Sequence, residues 1–314
     1  MIKKLTLAMA LGLGMTAALA EDLTFGIIST ESTQNLKASW EPLLNDMAKK
    51  TGFTVKAFFA PDYAGIIEGM RFNKVQVAWH GNKSAMEAVD RANGEVFAQM
   101  VNADGTQGYN SLLVTHKDSP LNSLDDVLKD TKSLSFGQGD PNSTSGFLVP
   151  GFYVFAKNKI DPKTAFKTVR SANHETNALA AANKQVDFAV TNTETMANIA
   201  TRQPEKHKDI KILWTSPLIP LDPLVMHKDL PAATKTKIKD FFYSYGQTPS
   251  EKAVLMNLNK IAAFKPSTNA QLIPIRELDL FSKRVKLEND ANLSAADKTA
   301  KLADIDKQLA ALKQ

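Results

Sequence analysis

Strand-length apolar runs and helically spaced apolar positions alternate along most of the chain. Leu23 to Ile28 is a short apolar run that ends in the polar turn Ser29-Thr30-Glu31-Ser32, and Trp40, Leu43, Leu44 and Met47 then recur at helical spacing as far as Lys50. Phe53 to Phe59 alternates, Pro61-Asp62-Tyr63 turns the chain, and Ile66, Ile67 and Met70 mark a second helix ending near Asn73. Val75 to Trp79, Val96 to Val101 and Tyr109 to Thr115 read as further strands, with a helix from Lys83 to Ala92 closed by Asn93-Gly94. Strands alternating with helices predict an α/β fold.

The polar connector His116-Lys117-Asp118-Ser119-Pro120 interrupts this order, after which it restarts. Strands are expected at Leu134 to Phe136, Lys167 to Arg170, Val186 to Thr191 and Ile210 to Trp214, and helices at Ser123 to Leu128, Thr176 to Asn183 and Glu194 to Ala200. Pro217, Pro220 and Pro223 then punctuate an extended return. Two crossings, near His116 and near Leu218 to Val225, predict a discontinuous first lobe of residues 21–116 and 226–276. Residues 117–225 would form the second lobe, and the two crossing strands a hinge. From Ser294 a box-like Ser294-Ala295-Ala296-Asp297 opens an amphipathic helix carrying Leu302, Ile305, Leu309 and Leu312. This helix, in an extension over residues 277–314, packs on its own lobe or seams two copies into a homodimer.

The richest local signal is Gly137-Gln138-Gly139-Asp140-Pro141-Asn142-Ser143-Thr144-Ser145-Gly146, between one apolar run and a longer one. Strand, polar turn, helix is the natural reading: Asp140 suits a cap and Pro141 the first helical position. Free backbone N–H groups at such a helix start, beside the hydroxyls of Ser143, Thr144 and Ser145, make a pocket for a tetrahedral oxyanion. The plainer alternative is an ordinary Ser/Thr cap; three successive hydroxyls followed by Gly146 exceed what a cap needs.

Other candidates stand at similar strand ends. His174, with Glu175, opens a helix from which an imidazole can donate to an anion, or can simply face solvent. Glu194 follows Val190-Thr191-Asn192-Thr193, and Asp222 sits in Leu221-Asp222-Pro223. Each has an easy structural reading, a helix-dipole acid and a turn residue, but beside an anion pocket the pair would form a cation site. Tyr63 and Tyr109 can cover a small ligand with a ring face and a hydroxyl, or serve as core or rim residues.

Residues 1–20 carry Lys3 and Lys4, an apolar stretch and Ala18-Leu19-Ala20 before Glu21, the pattern of a secretory signal peptide cleaved after Ala20. The chain has no cysteine, which removes disulfides, a lipid-anchoring thiol and thiol catalysis. Export to a Gram-negative periplasm fits these features. The formal net charge of +5 drops by two when the leader is removed, and the remaining basic residues are scattered, which gives a nucleic-acid partner no support. No G-x-S-x-G, H-E-x-x-H, Walker or complete dinucleotide-binding motif occurs, and the five histidines lack metal-ligand spacing. A hydrolase using His174 with Glu175 is the enzymatic alternative.

Several stretches taken together resemble one family. Phe25 to Ser32, Phe58 to Lys74 (FFAPDYAGIIEGMRFNK), Ala85 to Gly94, Gly139 to Gly151 (GDPNSTSGFLVPG) and His174 to Ala180 are similar, in order, to the periplasmic phosphonate-binding proteins of bacterial ABC transporters. The resemblance spans Phe25 to about Arg276 and fits the tail loosely. It implies a type II periplasmic solute-binding fold, two α/β lobes that close like a hinged trap on a phosphonate and hand it to a membrane permease, with no cofactor, no metal and no reaction. Position by position, it implies that Ser143, Thr144, Ser145 and His174 cradle the phosphonate, that Tyr63 and Tyr109 face it from the other lobe, and that Glu194 and Asp222 take an amino group. All eight positions match, which favours 2-aminoethylphosphonate over phosphate, phosphite or methylphosphonate. Buried unpaired carboxylates would oppose a ligand bringing no cation. His80, where the family stretch often has Tyr, and Asn110, where an aromatic is common, leave the range of accepted phosphonates open.

Overall fold

The computed structural model describes residues 22–290 and 292–313. The expected leader and its cleavage site therefore lie outside the described residues. Among those residues no helix is long and apolar enough to cross a membrane.

The chain forms strands β1 Asp22–Ile27, β2 Thr54–Phe59, β3 Val77–Trp79, β4 Gly94–Asn102, β5 Gly108–Tyr109, β6 Ser111–His116 and β7 Ser135–Gln138. It continues with β8 Thr168–Ser171, β9 Phe188–Asn192, β10 Ile210–Thr215, β11 Ile219–Pro220, β12 Pro223–His227 and β13 Ile261–Pro266. One sheet has the order β13-β4-β12-β3-β1-β2 and the other β10-β6-β9-β7-β8. In each, parallel strands joined by crossover helices are completed by antiparallel returns, β12 on β3 and β6 on β9. Each lobe thus has its own apolar centre. Phe25, Trp40 and Phe242 anchor the first, whereas in the second Phe136 stacks on Phe188 and Phe155 and Phe166 pack edge-on against them.

The lobes exchange chain through a third, two-stranded ribbon in which Tyr109 pairs with Ile219 and Gly108 with Pro220. This moves the expected boundaries. β6, assigned above to the first lobe through His116, pairs with β9 and β10 in the second sheet, so the first crossing lies at Gly108 to Asn110. β12 pairs with β3 and β4, so the return is complete by Pro223 rather than after Val225. The physical reason is that Gly108 leaves room for close backbone approach at the crossing. A Cβ there would lie 2.2 Å from the Ile219 carbonyl oxygen.

The helix Ala295–Ala311 is capped by Ser294, whose hydroxyl accepts from the Asp297 N–H at 3.1 Å. It packs against the helix Ile273–Glu288, with an Arg284–Asp306 ion pair between them. Ile305 is buried, and Leu302, Leu309 and Leu312 are half-buried, so much of the apolar stripe is already covered by the same chain.

Candidate functional site

The eight residues singled out above line one cavity between the lobes, with about 350 Å3 of empty space including its mouth. The second lobe supplies the turn expected to hold an anion. There the expected helix start is displaced: Asp140 and Pro141 precede it, and Ser143 is the cap, its Oγ accepting from the Gly146 N–H at 2.9 Å. Asp140 instead closes the turn on the Asn142 N–H at 2.7 Å and accepts from the Tyr63 N–H of the other lobe at 3.1 Å. The helical segment from Thr144 is π-type over Thr144–Leu148, a wide turn of the kind found at binding sites. Gly139 makes this possible, because a Cβ on it would lie 2.5 Å from the Gly146 backbone.

Ser143 Oγ and Ser145 Oγ lie 3.2 and 3.4 Å from His174 Nε2. His174 is the first residue of the helix His174–Ala182, two residues earlier than the expected start, because Asn173 caps that helix through the Thr176 N–H at 2.8 Å. Burial pushes the His174 imidazole down to about 4, so it is neutral at pH 7. A neutral ring can donate or accept a hydrogen bond but does not carry the extra positive charge that the sequence left open. Its Nδ1 is buried without a partner. Ser143, Thr144, Ser145 and His174 are each 3% exposed or less. Glu175, the other half of the enzymatic alternative, does not pair with His174. Its carboxylate accepts from the Ser32 N–H at 2.9 Å and from Asn35 Nδ2 at 2.7 Å, across the cleft.

The same cavity is lined by acidic side chains. Asp222 accepts from Trp79 Nε1 at 3.0 Å and from the Tyr109 hydroxyl at 3.2 Å. Burial pushes its carboxyl up to about 7, against the pull of those two donors. Glu194, the second residue of the helix Thr193–Arg202, is pushed well above the usual carboxylate range by burial and then by Asp222 and Glu31. Tyr63 opens the helix Tyr63–Arg71, and burial with Asp222 close by holds its phenol protonated. Among the described residues that line the cavity there is no lysine or arginine. The cavity lining thus combines hydroxyls and a neutral imidazole with two carboxyls raised by burial.

A sequence profile described as "ABC transporter, phosphonate, periplasmic substrate-binding protein" matches residues 25–272. The chain belongs to this family. It is 60% identical to the phosphonates-binding periplasmic protein of Escherichia coli K12 over 287 residues, covering 91% of this chain and 84% of the relative. It is 31% identical to a phosphate-import protein of Mycolicibacterium smegmatis over 212 residues, 63% of this chain and 64% of that one. Among solved structures, a binding protein component of an ABC phosphonate transporter from Pseudomonas aeruginosa superposes with a TM-score of 0.92 at 57% identity, covering 94% of this chain and 97% of that chain. A Prochlorococcus marinus protein in complex with methylphosphonate shares the fold, with a TM-score of 0.74 at 22% identity over 82% of this chain and 97% of that chain. The protein is thus a periplasmic binding component of an ABC transporter and not an enzyme, with a mixed α/β, type II periplasmic binding fold.

The cavity also contains residues that sequence reasoning passed over: Thr30, Glu31, Trp79, Asn192, Asn198 and Asn259. Glu31 lies in the polar turn noted after β1, and Asn192 and Trp79 end strands β9 and β3. A search for polar or indole side chains at every strand end would have found these. Asn198 and Asn259, inside one helix and at the end of another, carry no such signal.

Proposed function

We propose that the protein captures aminoalkylphosphonates, with 2-aminoethylphosphonate as the main ligand, and that the eight residues divide between its two ends. Ser143, Thr144, Ser145 and His174 would bond the phosphonate oxygens, Asp222 and Glu194 the ammonium, and Tyr63 and Tyr109 would flank the short chain between. The observation that carries this reading is the acidity of the cavity: Asp222, Glu194 and Glu31 line it, with no basic side chain among the described lining residues. A dianion entering alone leaves Asp222 and Glu194 without a cation, so that both would have to stay protonated beside it, whereas a zwitterion brings the cation that lets them ionise.

A phosphate, phosphite or methylphosphonate receptor is the second reading, favoured by the two donors that already satisfy Asp222. Calorimetric titration of 2-aminoethylphosphonate, methylphosphonate, phosphite and phosphate side by side separates the two. The aminoalkyl ligand should bind by far the tightest; equal or tighter binding of methylphosphonate or phosphate would overturn the assignment. The closed, loaded receptor would then dock on its permease, a partnership the family implies. A homodimer seamed by Leu302, Ile305, Leu309 and Leu312 would show as a dimer in sedimentation that becomes a monomer when residues 283–314 are removed.

A further inference from the structure

Asp140 is not among the residues that line the cavity, yet it bonds to both lobes. Its backbone carbonyl accepts from the Ser143 N–H at 2.9 Å, and its Oδ1 from the Asn142 N–H at 2.7 Å, which fixes the turn that carries the hydroxyls. Its Oδ2 crosses the cleft to the Tyr63 N–H at 3.1 Å. That N–H is the first of the helix Tyr63–Arg71, whose own cap, Asp62, is taken by the Gly65 N–H at 2.8 Å. A carboxylate of the second lobe thus sits at a helix start of the first, where free N–H groups and the helix dipole favour a negative charge. Ser143 and Tyr63 both line the cavity, so this one side chain ties together two walls that belong to different lobes.

We propose that Asp140 is a positioning residue that joins the seating of a phosphonate to the closing of the lobes. A ligand bound by Ser143 steadies the turn, the turn presents Oδ2, and Oδ2 holds the helix start of the other lobe over the ligand. When the lobes part, the carboxylate and the Tyr63 N–H both turn to water. Closing exchanges that water for a charge-assisted hydrogen bond, which holds the loaded protein shut. The bond therefore acts on release and not on capture, because a ligand enters the open form. It acts on every phosphonate alike, because it touches no part of the ligand.

The two oxygens of the carboxylate make its two roles separable. In Asp140→Asn the amide oxygen keeps the local bond to Asn142, which asparagine makes as aspartate does, and the NH2 then faces the Tyr63 N–H, donor against donor. Asp140→Ser also keeps an acceptor for Asn142 and is too short to reach Tyr63. The test is stopped-flow binding of methylphosphonate and of 2-aminoethylphosphonate to both variants, followed by tryptophan fluorescence, which Trp79 in the cavity wall reports. Both variants should release both ligands about 10-fold faster than wild type, with association within about two-fold of it and an unchanged circular dichroism spectrum. Unchanged release, a loss that falls on association, or a loss confined to one ligand overturns the proposal. So does faster release in Asp140→Asn alone, which would assign the effect to the intruding NH2, or a disrupted spectrum in both variants, which would make Asp140 a residue of the fold only. Each ligand is compared with its own wild-type rate, so the outcome is independent of which phosphonate the protein prefers.

Discussion

Glu31, in the turn after β1, forms an ion pair with Arg202, the last residue of the helix Thr193–Arg202, and the bond joins one lobe to the other across the cleft. Asn198 Nδ2 donates to the same carboxylate at 2.6 Å, and Arg202 also reaches the hydroxyl of Ser39 at 3.1 Å. Further bonds bridge the lobes nearby: the Lys83 N–H donates to Thr144 Oγ1 at 2.8 Å, and Glu175 holds Ser32 and Asn35. The described conformation is therefore a closed one, and these contacts belong to closure rather than to either lobe.

Arg202→Met should accordingly shift the free protein towards an open form and weaken every ligand alike, by on the order of 10-fold. The Glu31 carboxylate is almost buried when closed and regains water only by opening, which limits the cost. Small-angle scattering of the free variant should show a larger radius of gyration than wild type, with ligand restoring compaction. Identical curves for free variant and free wild type would mean that the ion pair does not govern closure.

The pH dependence follows from Asp222, whose carboxyl is pushed up to about 7 in the free protein from an ordinary 3.8. An ammonium ligand needs it ionised. Below pH 7 binding must expel a proton from Asp222 and another from Glu194, whose carboxyl burial also raises, so affinity for 2-aminoethylphosphonate should fall by up to ~10-fold per pH unit for each proton expelled as the solution is acidified. Without ligand the sign for stability is the opposite. The folded pKa is raised, so the native state binds more protons than the unfolded chain between about 4 and 7, and the free protein should lose stability as pH rises through that window. Thermal melts at pH 5 and pH 8 with and without ligand would show it: the ligand-induced rise in melting temperature should be larger at pH 8.

Gly139→Ala tests the anion turn without touching any proposed contact atom. Its Cβ would meet the Gly146 backbone at 2.5 Å, and backbone cannot rotate away as a side chain can. The turn must shift, moving Ser143 to Ser145 out of register with His174. Binding of phosphonates of every kind should drop by on the order of 100-fold, because near-ångström misplacement at a preorganised site is expensive. Circular dichroism should remain that of the wild type. A variant that binds normally would show that the turn geometry is not what positions the cradle.

Much of this architecture was legible from local pattern. Apolar runs between polar turns located most strands, and the three hydroxyls after Gly139 marked the proposed anion cradle. The failures share a cause. Tyr109 to Thr115 has the length of one strand, and the polar pair Asn110-Ser111 inside it does not by itself announce that the chain leaves one sheet at Tyr109 and joins another at Ser111; only the pairings with Ile219 and with Asn192 decide that. Asp140 and Pro141 have the composition of a helix start, yet Ser143 takes the cap because Asp140 is held by the Asn142 and Tyr63 N–H groups. Asn198, Asn259 and Arg202 acquire their roles only from residues far along the chain, which no spacing rule can supply.

The most direct test of the charge division compares two variants on two ligands. Thr144→Ala removes a donor from the cradle and should weaken 2-aminoethylphosphonate and methylphosphonate alike, by about 1 to 3 kcal/mol. Glu194→Gln keeps the shape and removes the charge that meets the ammonium, so it should weaken 2-aminoethylphosphonate by on the order of 10-fold to 1000-fold. Methylphosphonate, which has no ammonium, should bind Glu194→Gln as well as it binds wild type, or better. Equal weakening of both ligands by Glu194→Gln would show that this carboxylate serves the fold or the anion cradle, and would contradict the aminoalkylphosphonate assignment.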